Sequence, residues 1–147
     1  MRSLPTGRGA RGLGSWLAGA DRALGSVQHP AMPAPGWVAA QTLRHTEGLA
    51  DLDDAEAGEL GPLLRRLSAA VTWVTDSERV YTYSLGEGSP HTHILLGPPL
   101  PDLRGAAFIT ALMRRDASLA DEAAALRVAR DLAGELATGI TRTMGKR

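Results

Sequence analysis

A one-sided helix in the middle of the chain constrains its fold more than any other feature. Leu60, Leu63, Leu64, Leu67, Val71 and Val74 recur at spacings of three and four, which puts them on one stripe of an α-helix. Asp53 stands where an N-cap belongs, and Glu56 follows three residues later to complete a capping box. Acidic residues open the helix and Arg65 and Arg66 come later, the order the helix dipole favours. Gly61-Pro62 falls inside the pattern. Proline lacks a backbone donor, so an interruption and a kink are expected there.

The flanking segments read as strands. Residues 36–43 (GWVAAQTL) follow a proline and carry no helix signal. Residues 79–85 (RVYTYSL) combine valine, threonine and tyrosine, which suit a pleated surface. Tyr81 and Tyr83 share a face of that strand and are expected in the core. Residues 91–96 (HTHILL) form a third strand, joined to the second through Gly86-Glu87-Gly88-Ser89-Pro90 as an antiparallel hairpin. The expected class is α+β, an antiparallel sheet packed with helices, the longest of them over residues 54–75.

Two further helices close the chain. Phe108, Ile109, Leu112 and Met113 make one apolar face. Ser118 with Asp121 is expected to cap the last helix, where Ala125, Val128, Ala129, Leu132, Leu136 and Ile140 form a stripe. Residues 1–34 are rich in glycine, proline, alanine and arginine and read as a flexible N-terminal arm. A short helical turn through Trp16, Leu17, Ala20 and Leu24 fits their shared face. Residues 35–116 form the domain proper, and residues 117–147 supply the C-terminal helix that completes it.

Composition narrows the function. A length of 147 residues suits one domain, and a formal net charge of zero argues against a nonspecific grip on nucleic acid or an acidic membrane. Lys146 is the one lysine among the cations. With no cysteine, disulfides and thiolate metal sites are excluded. Arg2, Arg8 and Arg11 are not followed by the apolar run of a signal peptide, and no stretch approaches the ~20 apolar residues of a membrane span. A cytoplasmic location is the expectation.

Of the four histidines, two lie in His91-Thr92-His93. On a strand, His91, His93 and Leu95 share one face, and the strand holds two imidazoles at a fixed separation. The glycines before them leave backbone N–H groups free to approach a phosphate. An H-x-H pair also occurs on surface strands with no function. It could ligate a metal as well, with Glu87 and His45 the nearby candidates for further ligands.

The stretch from Gly36 to Pro98 resembles the histidine-triad superfamily. The resemblance rests on Leu43-Arg44-His45, on Ala50-Asp51-Leu52-Asp53-Asp54-Ala55-Glu56, on Val80-Tyr81, and on Gly86 through Leu96, in the family's order. It covers under half the chain. Two positions depart from the pattern. Leu95 stands in place of the third motif histidine, and Gly97-Pro98-Pro99 in place of the arginine that often closes the motif.

The resemblance implies a nucleotide phosphohydrolase or nucleotidyl transferase of the diadenosine polyphosphate hydrolase-like branch. Its substrates would be dinucleoside polyphosphates or nucleoside phosphoramidates. His93 matches the nucleophile and His91 its helper, while His45, Gly88 and Ser89 would contact substrate. No metal and no other cofactor is implied. A homodimer is implied, and pairing would also cover an open sheet edge. The alternative is a noncatalytic nucleotide-binding or interaction protein that retains the fold.

Overall fold

In the computed structural model, which describes residues 24–27, 35–86, 90–100, 102–114, 118 and 121–137, the apolar stripe is the helix α1, Asp54–Thr75. The Asp53 carboxylate accepts the Glu56 amide at 2.8 Å and the Glu56 carboxylate accepts the Asp53 amide at 3.0 Å, satisfying two of the donors that a helix start leaves open. The helix closes at Asp76, whose φ of 49° is left-handed. The expected interruption at Pro62 does not occur, and α1 runs through it. The carbonyl deprived of its donor belongs to Gly58, and both Gly58 and Pro62 are exposed, so water can satisfy it.

Four strands form one antiparallel sheet: β1 (Leu24–Val27), β2 (Val38–Thr42), β3 (Tyr81–Tyr83) and β4 (His93–Gly97), in the spatial order β1-β2-β4-β3. β1 corrects the reading of Leu24 as part of a helical turn, because Leu24 pairs with Thr42 and Val27 with Ala39, which takes these four residues out of the stretch 1–34 read as an arm. The ladder gives its backbone the partners that the sequence LGSV, poor in strand-forming side chains, does not advertise. The expected turn at Trp16, Leu17 and Ala20 and the rest of the arm lie outside the described residues. β2 and β3 lie inside their expected spans, while β4 is shifted from the expected 91–96, starting two residues later and ending one residue later, at Gly97. β4 starts at His93, so His91 precedes it.

Both faces of the sheet are covered. On one, Val38, Ala40, Ile94 and Leu96 meet Leu63, Leu67, Ala70 and Val71 of α1, together with Leu132 and Leu136 of the last helix, α3 (Glu122–Ala137). On the other, Trp37, Ala39 and Leu95 pack with Phe108 of α2 (Gly105–Met113), flanked by Tyr81 and Tyr83. The cap of α3 is Asp121, whose carboxylate accepts the Ala124 amide at 2.9 Å. Ser118 lies too far before the helix start at Glu122 to be its N-cap. The side chains of Leu112 and Met113, and residue Ile140, lie outside what the structure describes. Among the described residues no helix is long and apolar enough to cross a membrane.

Candidate functional site

The site is built where β2 ends and β4 begins. Arg44, just past β2, reaches the first turn of α1: its Nε donates to Glu56 Oε1 at 3.1 Å and its Nη2 to Glu56 Oε2 at 2.6 Å. Nη2 also donates to the Asp51 carbonyl at 2.8 Å. These bonds from Arg44, and then the Asp53 amide, hold the Glu56 carboxyl below the usual carboxylate range against the opposing effect of desolvation. The same pairing raises the Arg44 guanidinium. The chain between these anchors is further pinned by Asp51 Oδ2, which accepts the amides of Glu47 at 3.0 Å and Gly48 at 2.9 Å.

That anchored bend carries His45 and Thr46. Thr42, Thr46 and Thr92 are all buried, and their hydroxyls form a chain. Thr46 Oγ1 donates to Thr92 Oγ1 at 2.9 Å, and Thr42 Oγ1 lies 2.8 Å from Thr46 Oγ1. Since the Thr46 hydrogen is spent on Thr92, Thr42 is the donor to Thr46. The Thr92 amide donates to the Thr46 carbonyl at 2.6 Å, which joins the bend to the lead-in of β4.

His91 ends this chain. Its Nε2 lies 2.6 Å from the Thr42 carbonyl and 3.0 Å from Thr42 Oγ1. A carbonyl only accepts, so Nε2 carries the hydrogen. The expectation that strand alternation aims His91 alongside His93 is therefore corrected: bonding to the end of β2 orients His91, which lies before the strand. His45 packs edge-on to it, ring centroids 5.5 Å apart. The His45 side chain is 63% exposed, and its Nε2 lies 3.6 Å from Glu47 Oε1.

His93 is the first residue of β4 and is half-buried. Its Nδ1 lies 2.8 Å from the His91 carbonyl. By the same reasoning Nδ1 is the donor, so in the neutral ring Nε2 holds the lone pair. Ser84 Oγ donates to the His93 carbonyl at 2.7 Å and fixes the backbone from the β3 side. The ring is thus held by one nitrogen while the other keeps the electron pair of a nucleophile.

One step further along the same face the chemistry stops. Leu95 is 8% exposed and packs with Trp37, Ala39 and Phe108. Trp37 lies across Gly97, where a Cβ would collide with the indole ring. Trp73, by contrast, is 47% exposed. Glu87, Gly88 and Ser89 lie outside the described residues. Among the described residues no three His, Cys, Asp or Glu side chains gather as a metal site. Sequence reasoning missed the three threonines, whose numbers hide their proximity. Arg44 and Glu56 both stand in the stretch that resembles the family, but their spacing gives no sign that they bond each other.

No protein-family model matches the sequence, and no curated protein matches it either. Solved structures do match in fold. A zinc-bound histidine triad family protein from Mycobacterium smegmatis superposes with a TM-score of 0.58 at 14% identity, covering 82% of this chain and 84% of that one. A hypothetical histidine triad nucleotide-binding protein from Sulfolobus tokodaii gives 0.56 at 9% identity, over 84% and 92% of the two chains. A Hit-like protein from Bartonella henselae involved in cell-cycle regulation gives 0.55 at 11% identity, over 82% of each. The chain has the α+β fold of histidine-triad proteins.

Proposed function

We propose that the chain is a histidine-triad nucleotide phosphohydrolase or nucleotidyl transferase in which His93 Nε2 is the nucleophile. The observation that carries this reading is the bond from His93 Nδ1 to the His91 carbonyl, which leaves the Nε2 lone pair for attack. Nε2 forms a bond to the α-phosphorus of a dinucleoside polyphosphate or nucleoside phosphoramidate. The bond from phosphorus to the leaving oxygen or nitrogen breaks, and its electron pair departs with the leaving group. Water then adds to the nucleotidyl-histidine, displaces Nε2 and releases a nucleoside monophosphate and a proton.

His91 commits Nε2–H to Thr42, so its Nδ1 is the atom left to meet substrate. His45, against the His91 ring, sits where it can contact the same ligand. The backbone amides of Gly88 and Ser89 and the Ser89 hydroxyl would serve the phosphate oxygens.

Incubation with adenosine and guanosine polyphosphates and phosphoramidates, followed by intact-protein mass spectrometry, tests this reading. A mass increase of one nucleoside monophosphate unit, mapped to His93 and absent from His93→Ala, is the expected result. The second reading, a nucleotide-binding protein without turnover, is favoured by one observation: Leu95, at the third motif position, belongs to an apolar cluster. Equal nucleotide binding by wild type and His93→Ala, with no product from either, would establish it.

A further inference from the structure

We infer that Gln41, a residue with no role so far, contacts the phosphoryl group that His93 attacks; the inference rests on the function proposed above. β2 and β4 pair antiparallel with Gln41 directly opposite His93. The Thr42 amide donates to the Thr92 carbonyl at 3.4 Å, and Thr42 stands opposite Thr92 in the same register. Thr42 and Thr92 are thus a hydrogen-bonded pair, and the alternation of an antiparallel ladder makes Gln41 and His93 a non-hydrogen-bonded one. Pairs of that kind bring their Cα atoms to ~4.5 Å and their side chains closest together.

Gln41 and His93 therefore project side by side from one face, both half-buried. The Gln41 amide makes no hydrogen bond to any described residue, whereas the His93 Nδ1 is engaged. The rank before this pair holds His91, whose Nε2 is spent on Thr42. The rank after it is Ala39 and Leu95, both buried and apolar. Gln41 is thus the neutral polar side chain that β2 and β4 offer beside the nucleophile. Its amide N–H groups suit a non-bridging oxygen of a phosphate ester or anhydride. A neutral amide can stabilise charge developing on that oxygen without competing with His93 for a proton.

Gln41→Leu keeps the size and removes the donor; Gln41→Glu sets a negative charge beside the phosphate. Both are compared with wild type as full chains in three measurements: kcat/KM with a dinucleoside polyphosphate, calorimetric affinity for adenosine and guanosine monophosphates, and Tm. Removing one preorganised donor to a transition-state oxygen costs on the order of 10²-fold, so kcat/KM of Gln41→Leu falls by about that much with Tm unchanged. Gln41→Glu loses monophosphate affinity. If wild type binds nucleotide without turning it over, the affinity loss in Gln41→Glu still supports the contact. Turnover by wild type together with unchanged kinetics and affinity in both variants overturns the role of Gln41 alone. A rate loss in Gln41→Leu that tracks a fall in Tm, with Gln41→Glu binding as wild type, also overturns it. Wild type that neither binds nor reacts overturns the proposed function, and the Gln41 contact with it.

Discussion

The two ends of β4 share one strand and differ in everything else. At its start, His93 bonds through Nδ1 to a backbone carbonyl, and His91 just before it hangs from Thr42 at the end of a chain of buried hydroxyls. At its finish, Leu95 packs with Trp37 and Phe108 and Gly97 lies under the Trp37 ring, where the one polar side-chain atom of the cluster's buried part, the indole Nε1, has no hydrogen-bond partner among the described residues. Hydrogen bonds specify direction, so the first end can aim a lone pair. Burial is non-directional, so the second end can only hold the sheet together. Leu95, on the same face as His93, sets the boundary between these regimes one rank away from that histidine.

The widest separation between the two ends is expected from His93→Ala and Leu95→Ala. If His93 is the nucleophile of the proposed reaction, its loss costs ~10³-fold or more in kcat, while the half-buried side chain contributes little packing, so kcat is expected to collapse and Tm to hold. Leu95→Ala should do the reverse at first order, with a stability loss of about 2–5 kcal/mol from the cavity left against Trp37 and Phe108. Equal Tm losses in the two variants would erase the distinction.

Leu95→His asks whether the apolar end can be made chemical. An imidazole there is surrounded by Trp37, Ala39 and Phe108, and burying it unpaired costs roughly 1–3 kcal/mol beyond the lost packing. Denaturant unfolding should show that loss with no gain in turnover. Thr46→Val tests the polar end from behind. It strips the donor from Thr92 and the acceptor from Thr42, which costs about 1–3 kcal/mol when those hydroxyls are left buried. Thr46→Ser should recover most of it, and a valine variant as stable as wild type would show that the chain is dispensable.

The smallest expected effect is that of pH on the Arg44–Glu56 pair. Glu56 has its carboxyl lowered by Arg44. Its contribution is therefore full above the unfolded carboxyl value of about 4.3 and is lost as pH falls through the lower folded value. The Tm advantage of wild type over Glu56→Gln should shrink on acidification below about pH 4.3. A constant gap across that range would mean that the carboxylate charge is not what anchors the bend.

Much of the fold was legible because local and global signals agree. The leucine stripe and the Asp53–Glu56 box set α1 to the residue, and the valine, tyrosine and leucine runs located β2, β3 and β4. What escaped depends on tertiary pairing. Leu24–Val27 is a strand because Thr42 to Ala39 lie alongside, and nothing in LGSV says so. His91 reads as strand in HTHILL, but its bond to Thr42 spans 49 residues. Pro62 reads as a breaker, and only the exposure of Gly58 shows why it is not one. The histidine pair itself was legible from spacing. Gln41 was not, since a lone glutamine in an apolar run becomes informative only once the register puts it opposite His93.

The most direct test of the contrast is the tautomer of the histidine rings, read from two-dimensional ¹H–¹⁵N spectra of the imidazoles with His91 and His93 assigned by substitution. The expected result is a neutral His93 protonated at Nδ1, with an unprotonated Nε2, beside a His91 protonated at Nε2. A neutral His93 carrying its hydrogen on Nε2 would leave no lone pair facing the substrate side and would contradict the account of β4 as a strand that aims a nucleophile at one end.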